Sequence, residues 1–299
     1  MIDPIARCPK WLIDRIGDSG GSISFYRYMD LVLNDPDNGF YSTGKLNIGK
    51  NGDFCTSPSL SNDFARLLAI QVVDWFLDLE KSGIDSKLLS LIEIGPGEGT
   101  LSRDLIVAIA EIAPALICKI ELVLVELNVG MRRRQEKVVN NLEGINCRWS
   151  SIEDLILRPV TGVVIANEVL DAFPVERLVF SDNKVFRQGV SLKKTNDEYS
   201  LEFVDLKPTS KIIKFLKESN SLLKIEFPPK DICNRWVTEW HCDVPSWFGD
   251  LSKVLIDGAL LVVDYAMESK RYYNAMRQDG TLISYRNHVA NPNVLKDAG

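Results

Sequence analysis

Residues 91–101 read LIEIGPGEGTL, an apolar run that ends in three glycines at alternate positions, Gly95, Gly97 and Gly99. Glycines between a buried strand and a helix commonly cradle the pyrophosphate of a dinucleotide at the helix N-terminus. The dinucleotide fingerprint G-x-G-x-x-G would place its third glycine at position 100, which is Thr100. The one carboxylate in the run, Glu93, would repel a pyrophosphate and would suit a cation.

The pattern E-x-G-x-G-x-G is typical of sites for S-adenosylmethionine, which carries a sulfonium and an ammonium and no phosphate. The alternative is a tight turn with an incidental glutamate. Glu126 ends the next predicted strand, LVLVEL, where a carboxylate would reach the ribose hydroxyls of an adenosyl ligand. Glu153 and Asp154 follow the third predicted strand, CRWS, and are candidates for contact with the base or ordinary surface residues. We therefore predict an S-adenosylmethionine site.

Composition and charge narrow the class of protein. The 299 residues are 45% hydrophobic and 25% charged, as in ordinary globular domains. A net charge of -6 disfavours nucleic acid as a partner and would accommodate a cationic one. Six cysteines without a C-x-x-C pair and only two histidines predict no metal site and suit a reducing compartment. The N-terminus resembles neither a secretory signal nor a transit peptide, and no apolar stretch could span a membrane, so we predict a cytoplasmic protein.

Strands rich in Val, Ile and Leu alternate with helices from LLSLIEIG to VTGVVIANEVL. This alternation predicts an α/β fold with a doubly wound, Rossmann-like parallel sheet. We expect residues 1–60 to form a helical extension followed by a long ordered loop, and residues 61–299 to form the cofactor-binding domain. Alternating segments with SDNK and TNDE turns predict an antiparallel and helical insertion at about 180–250.

The stretch VVIANEVLDAFPVERL brings three polar residues to the end of a predicted strand, Asn167, Glu168 and Asp171. Polar side chains at the mouth of an apolar strand need partners or a ligand. Asn167 could instead cap the turn, and Asp171 could bond to nearby backbone. In the functional interpretation these side chains hold a methyl acceptor opposite the sulfonium, because methyl transfer depends mainly on positioning and desolvation.

Five segments in this order resemble the MidA-like S-adenosylmethionine-dependent methyltransferases: SISFYRYMDLVLNDPDNGFYS, GDFCTSPSLS, EIGPGEGTL, ANEVLDAFP and VVDYA. The resemblance implies that the cofactor is bound by Glu93, Gly95, Gly97, Gly99 and Glu126, and that the acceptor is faced by Asn167, Glu168 and Asp171. It also implies that a loop with Gly52, Asp53, Thr56 and Pro58 closes the site. Mitochondrial members methylate an arginine of a respiratory complex I subunit and are needed for assembly of that complex. Two departures are Ala266, where members commonly have glycine, and an end at NVLKDAG, before the family's further strand.

The predicted reaction is therefore methylation of an accessible arginine in a protein partner such as a respiratory complex subunit. Glu168 or Asp171 would orient the guanidinium and accept its proton. Two alternatives stay open. The chain could act as an assembly chaperone that uses the cofactor pocket structurally, or it could methylate a small molecule or RNA, of which the acidic pI of 5.2 disfavours RNA.

Overall fold

The computed structural model describes residues 8–43, 58, 61–82, 88–196, 198–232, 234–286, 288–296 and 298. In chain order the helices are α1 (Lys10–Asp18), α2 (Phe25–Asn34), α3 (Asp63–Lys81), α4 (Thr100–Ile112), α5 (Pro114–Ile117), α6 (Val129–Val139), α7 (Ile152–Leu157), α8 (Ser210–Leu223), α9 (Val244–Val254) and α10 (Ser269–Tyr272). The strands are β1 (Ser22–Ser24), β2 (Leu89–Ile94), β3 (Ile120–Val125), β4 (Asn146–Ser150), β5 (Val160–Asn167), β6 (Glu176–Ser181), β7 (Lys184–Thr195), β8 (Glu198–Leu206), β9 (Arg235–Trp240), β10 (Leu255–Val263), β11 (Ser284–Arg286) and β12 (Val289–Asn291).

The chain divides into two compact units. The parallel unit consists of Tyr41–Ala172 and Asp243–Tyr265. The antiparallel unit consists of Met1–Phe40, Phe173–Cys242 and Ala266–Gly299. Within the described ranges, no helix has both the length and the apolar character that a membrane span requires.

The parallel unit is built on a sheet with the strand order β10-β5-β2-β3-β4. All neighbouring strands in it run parallel, and β2 and β3 are buried along their whole length. The order reverses between β2 and β5, so the segments that follow these two strands leave the sheet side by side. In open α/β sheets such a switch point is where ligands bind. The predicted doubly wound α/β fold is confirmed.

Helices α3 and α4 contribute much of the core of the parallel unit. Ala69, Val72 and Phe76 recur at helical spacing along α3 and are each 0% exposed. They share one apolar cluster with residues of α4 and of strands β2, β3 and β5. Full burial of a large apolar side chain such as Phe76 stabilises the fold by about 1.5–3 kcal/mol. The apolar face of α3 is therefore part of the core.

The antiparallel unit contains a sheet with the order β1-β7-β6-β9, and β8 pairs with β7 from Arg187 to Thr195. The turn between β6 and β7 has positive φ angles of 50° at Asp182 and 58° at Asn183. Two left-handed residues are the requirement of a type I′ hairpin turn, which Asp and Asn tolerate. The SDNK segment therefore forms the hairpin turn that its composition predicted.

The N-terminal residues contain a strand in addition to the expected helices. Ser22–Ser24 form β1, in which Ile23 pairs with Val190 of β7. Three residues with two serines give no alternation signal, and pairing with an existing sheet edge satisfies their backbone groups. Helices α1 and α2 bury Leu12 and Tyr28 in an apolar cluster of the same unit. The prediction of a helical extension thus missed β1, which forms only because it pairs with β7.

Candidate active site

The glycine turn, residues 95–99, joins β2 to α4. Its glycines all have positive φ, 61° at Gly95, 52° at Gly97 and 82° at Gly99. A residue with a Cβ atom strongly disfavours this left-handed conformation, which explains why glycine recurs at alternate positions. A Cβ atom on Gly95 would lie 3.1 Å from Cγ2 of Val169. The glycine turn therefore lies against the segment that follows β5.

Glu93 lies two residues before the glycine turn and is 4% exposed. Its Oε2 accepts a hydrogen bond from Oγ of Ser102 in the first turn of α4. Burial raises the pKa of Glu93 to about 7, against the opposing effect of hydrogen bonds from Ser102. The carboxyl group is therefore only partly ionised at neutral pH, and a nearby cation would favour its charged form.

Gln135 of α6 connects the glycine turn to the acidic residue after β3. Its Nε2 donates to the carbonyl oxygen of Gly97 at 2.8 Å and to Oε2 of Glu126 at 3.0 Å. Its Oε1 accepts from Nε1 of Trp149 at 2.8 Å. Gln135 is 0% exposed, so every polar atom of this side chain is used inside the protein.

Sequence reasoning missed Gln135, although a signal was present. Residues Met131, Gln135 and Val139 recur at a spacing of four and are the buried residues of α6. A polar residue on the apolar face of an otherwise charged helix requires buried partners.

Glu126 itself is 8% exposed and follows the end of β3. Its Oε1 accepts the backbone N–H of Asn128 at 2.8 Å. Burial raises the pKa of Glu126, while hydrogen bonds from Asn128 and Gln135 oppose the rise. The structure thus brings Glu93, the glycine turn and Glu126 together through α4 and α6.

Glu153 and Asp154 lie in the first turn of α7, and both are exposed. Ser151 caps this helix by accepting the backbone N–H of Asp154 at 3.0 Å. Carboxylates in the first turn of a helix are favourable through the helix dipole alone. Among the described residues, neither side chain makes a hydrogen bond to the glycine turn or to Glu126, so their predicted contact with the cofactor stays a prediction.

The acceptor turn, residues 167–172, follows β5. Asn167 ends the strand, and its Oδ1 is buried without a hydrogen-bond partner among the described residues. Leaving such a group unsatisfied costs about 1–3 kcal/mol, which a ligand donor would recover. Glu168 has a positive φ of 51°. A left-handed residue other than glycine is held by its surroundings and is found most often at functional sites.

Asp264, which follows β10, holds the backbone of the acceptor turn. Its Oδ2 accepts the N–H groups of Val169 at 3.2 Å and Leu170 at 2.8 Å. Its Oδ1 accepts the N–H of Tyr265 at 2.7 Å. The N–H of Glu168 in turn donates to the carbonyl oxygen of Val263 at 2.8 Å. Sequence reasoning placed Asp264 only in the VVDYA motif and assigned it no role.

The electrostatics of the acceptor turn converge on Asp171. This residue is exposed, but its carboxyl group is sufficiently surrounded by protein that burial, with the charges of Asp264 and Glu168, raises the pKa of Asp171 to about 6. Tyr41 faces the same charge, since burial and the charges of Asp171 and Glu126 raise the pKa of Tyr41. Tyr41 therefore lies near both acidic sites, a placement that no local pattern could predict.

The residues predicted for a closing loop are mostly outside the described chain. Gly52, Asp53 and Thr56 lie outside the described residues, and Pro58 is half-buried. Just before this segment, Oγ of Ser42 donates to Oδ1 of Asn128 at 2.8 Å. Ser42, ten residues before Gly52, therefore contacts the segment that follows β3.

Residues 67–299 match the profile of a protein family described as "Putative S-adenosyl-L-methionine-dependent methyltransferase". The matched span includes the glycine turn, Glu126 and the acceptor turn.

Curated relatives carry a more specific name. "Protein arginine methyltransferase NDUFAF7, mitochondrial" of Xenopus tropicalis is 32% identical over 183 residues, which cover 54% of this chain and 40% of the relative. The homolog of that name from Caenorhabditis elegans is 28% identical over 305 residues, which cover 93% of this chain and 65% of the relative. The chain thus spans less than two thirds of each of these relatives.

A crystal structure from Burkholderia thailandensis resembles the chain over 96% of its length, with 30% identity and a TM-score of 0.78. The match covers 70% of the Burkholderia chain, which is bound to S-adenosyl-homocysteine. The family resemblance and the predicted cofactor class are confirmed by these comparisons.

One prediction is wrong. The curated relatives are named as mitochondrial proteins, which contradicts the predicted cytoplasmic location. That prediction used the scattered cysteines, the character of the N-terminal residues and the lack of an apolar span, and none of these features by itself identifies a compartment.

Proposed function

The chain belongs to this family of S-adenosyl-L-methionine-dependent methyltransferases, and we propose that it methylates a guanidinium nitrogen of a protein arginine. The observation that carries the proposal is the acceptor turn. Two carboxylates, Glu168 and Asp171, lie on one turn that packs against the glycine turn, together with the buried Oδ1 of Asn167, which has no hydrogen-bond partner in the described part of the chain. Two carboxylates and an acceptor oxygen on one turn suit a cationic donor of hydrogen bonds, which is what a guanidinium is.

The residues around the glycine turn fit an S-adenosyl ligand. The left-handed glycines expose backbone without side chains, and Gly95 could not carry a Cβ atom without pressing on Val169. Glu126 presents a carboxylate suited to ribose hydroxyls, and Glu93 a carboxyl group that a cation would ionise. When bound, S-adenosylmethionine supplies an electrophilic methyl group.

The acceptor-turn residues would orient the arginine and remove its proton. A guanidinium is protonated at neutral pH, so the attacked nitrogen must lose one proton for each methyl group that it gains. Asp171 is mostly ionised at pH 7 because its pKa is about 6, and it retains enough proton affinity to act as the acceptor. Glu168 would hold the opposite N–H groups, and Oδ1 of Asn167 would accept a further hydrogen bond.

We infer that the partner is a mitochondrial protein, because the relatives carry that location in their names. The family resemblance further favours a subunit of respiratory complex I, with methylation required for assembly. The segment with Gly52, Asp53, Thr56 and Pro58 is proposed to close over the bound arginine.

Glu168→Gln tests the proposal, since it keeps the side-chain shape and removes the charge. The control is Asp257→Asn, an exposed carboxylate near the amino end of β10, whereas the acceptor turn lies at the carboxyl edge of the sheet. Cells that lack the gene would receive the full-length wild type or either variant, and mass spectrometry would quantify methylarginine in mitochondrial proteins. S-adenosylhomocysteine binding would be measured by calorimetry.

We expect Glu168→Gln to bind S-adenosylhomocysteine normally and to lose about 100-fold or more of the methylation rate. Asp257→Asn should match the wild type. Methylarginine that is unchanged by loss of the gene would refute the proposal. Complex assembly restored by Glu168→Gln in the absence of methylation would favour the chaperone function instead.

A further inference from the structure

We propose that Asp264 is the positioning residue of the acceptor turn, where it fixes the turn's backbone and places its carboxyl group beside Asp171. The inference rests on the proposed function, because the turn must act on a methyl acceptor for its position to matter. It goes beyond that function because it assigns a role to Asp264, a residue that follows a different strand. In that role, Asp264 influences the pH range in which Asp171 can accept a proton.

The backbone geometry supports the positioning role. A single carboxylate accepts three N–H groups, two from the acceptor turn, Val169 and Leu170, and one from Tyr265. Hydrogen bonds to an ionised acceptor are stronger than neutral ones. They clamp the residues directly after Glu168, whose left-handed backbone needs support from its surroundings. The neighbouring strands add a further bond between Glu168 N–H and Val263 O.

The charge of Asp264 has a second effect. Among the described residues, the titratable groups that face Asp171 are Glu168 on the same turn, Asp264 and Tyr265 after β10, and Tyr41. After burial, the charge of Asp264 is the foremost cause that raises the pKa of Asp171. A base with raised proton affinity accepts a proton more readily, provided that the pH is high enough to keep it ionised. Asp264 therefore influences both the position of Asp171 and its proton affinity.

A purely structural role would lower the rate equally at every pH. An electrostatic role would also move the pH at which the rate falls, because that fall reports protonation of the base. Without the charge of Asp264, the pKa of Asp171 would decrease, and the acidic limb of the pH–rate profile would move to lower pH. The direction of this movement separates the two roles.

The experiment compares full-length wild type, Asp264→Asn and Asp257→Asn. The asparagine retains one oxygen for the N–H groups of Val169 and Leu170 and removes the charge. Asp257 lies near the other end of the same strand and serves as the matched control. Single-turnover methylation of an arginine-containing protein acceptor would be measured from about pH 3.5 to 8, a range that includes both the ordinary pKa of an aspartate, about 3.9, and the raised pKa of Asp171, about 6. Hydrogen exchange of the acceptor-turn amides would be measured in parallel.

We expect Asp264→Asn to bind S-adenosylhomocysteine normally, to lose about 10-fold or more in rate, and to show an acidic limb at lower pH than wild type. Its acceptor-turn amides should exchange faster than those of Asp257→Asn. An unmoved acidic limb with a reduced rate would overturn the inference while leaving the proposed function intact. Absence of arginine methylation by the wild type would instead refute the proposed function.

A second neutral variant keeps the test possible if the first variant misfolds. If Asp264→Asn does not fold, Asp264→Ser repeats the measurement with a smaller side chain. Failure of both variants to fold would show that Asp264 is required for folding and would overturn its assignment as a positioning residue.

Discussion

Glu93→Gln should stabilise the protein at neutral pH. Burial raises the pKa of Glu93 from 4.5 to about 7. At about 1.4 kcal/mol per pKa unit, this shift corresponds to about 3 kcal/mol. Because the native carboxyl group holds its proton more tightly than the unfolded one, the native state binds more protons between these two pKa values. The free energy of unfolding therefore falls as the pH rises from about 4.5 to 7.

Urea unfolding of the ligand-free protein from pH 4.5 to 8 measures this effect. The amide oxygen of glutamine can still accept the hydrogen bond from Ser102 and carries no charge to bury. The variant should match the wild type near pH 4.5 and exceed it by about 3 kcal/mol at pH 8. Glu143→Gln, at an exposed glutamate, is the control and should follow the wild type throughout.

The same substitution should weaken cofactor binding. A cationic ligand favours the ionised form of Glu93, so wild-type affinity for S-adenosylmethionine should increase as the pH rises through about 7. Glu93→Gln should bind more weakly, and its affinity should not change in that range. Calorimetry at several pH values measures both properties. Parallel stability curves for wild type and variant would refute the reasoning, since they would mean that Glu93 is not a buried, proton-binding group in the native state.

Two further substitutions test the cofactor site. Gly97→Val places a branched side chain where φ is 52°, so we expect loss of S-adenosylhomocysteine binding in calorimetry and a lower melting temperature, with a left-handed penalty of about 1–2 kcal/mol. Gln135→Leu removes the hydrogen bonds of Gln135 to Oε2 of Glu126 and from Nε1 of Trp149, so urea unfolding should show a loss of about 2–5 kcal/mol and calorimetry a weaker affinity. Normal binding by either variant would contradict the assigned contacts.

Local pattern was sufficient for the elements of the parallel sheet and for much of the candidate site. The alternation of apolar strands and helices indicates burial on both faces of a sheet. Each segment shows this burial in its own apolar composition and periodicity. The glycines of residues 95–99 could also be recognised from the sequence, because each left-handed position of the turn favours glycine independently of the rest of the fold. Glu93, Glu126 and Asn167 could be chosen as candidate site residues because each lies near the carboxyl end of a strand that the sequence predicts.

Other features depend on pairs of residues that are distant in the chain. Asp264 meets Val169 and Leu170 because β10 pairs with β5, and the register of two parallel strands is not encoded in either strand alone. Gln135 bridges Gly97 and Glu126 because α6 packs beside the glycine turn.

The proton affinities of Glu93 and Asp171 likewise arise from the folded surroundings. The sequence by itself determined which residues carry charge and where each strand ends. The tertiary structure determined which charges are desolvated and which face one another, because desolvation and Coulomb interactions depend on distances in space and not on separation along the chain.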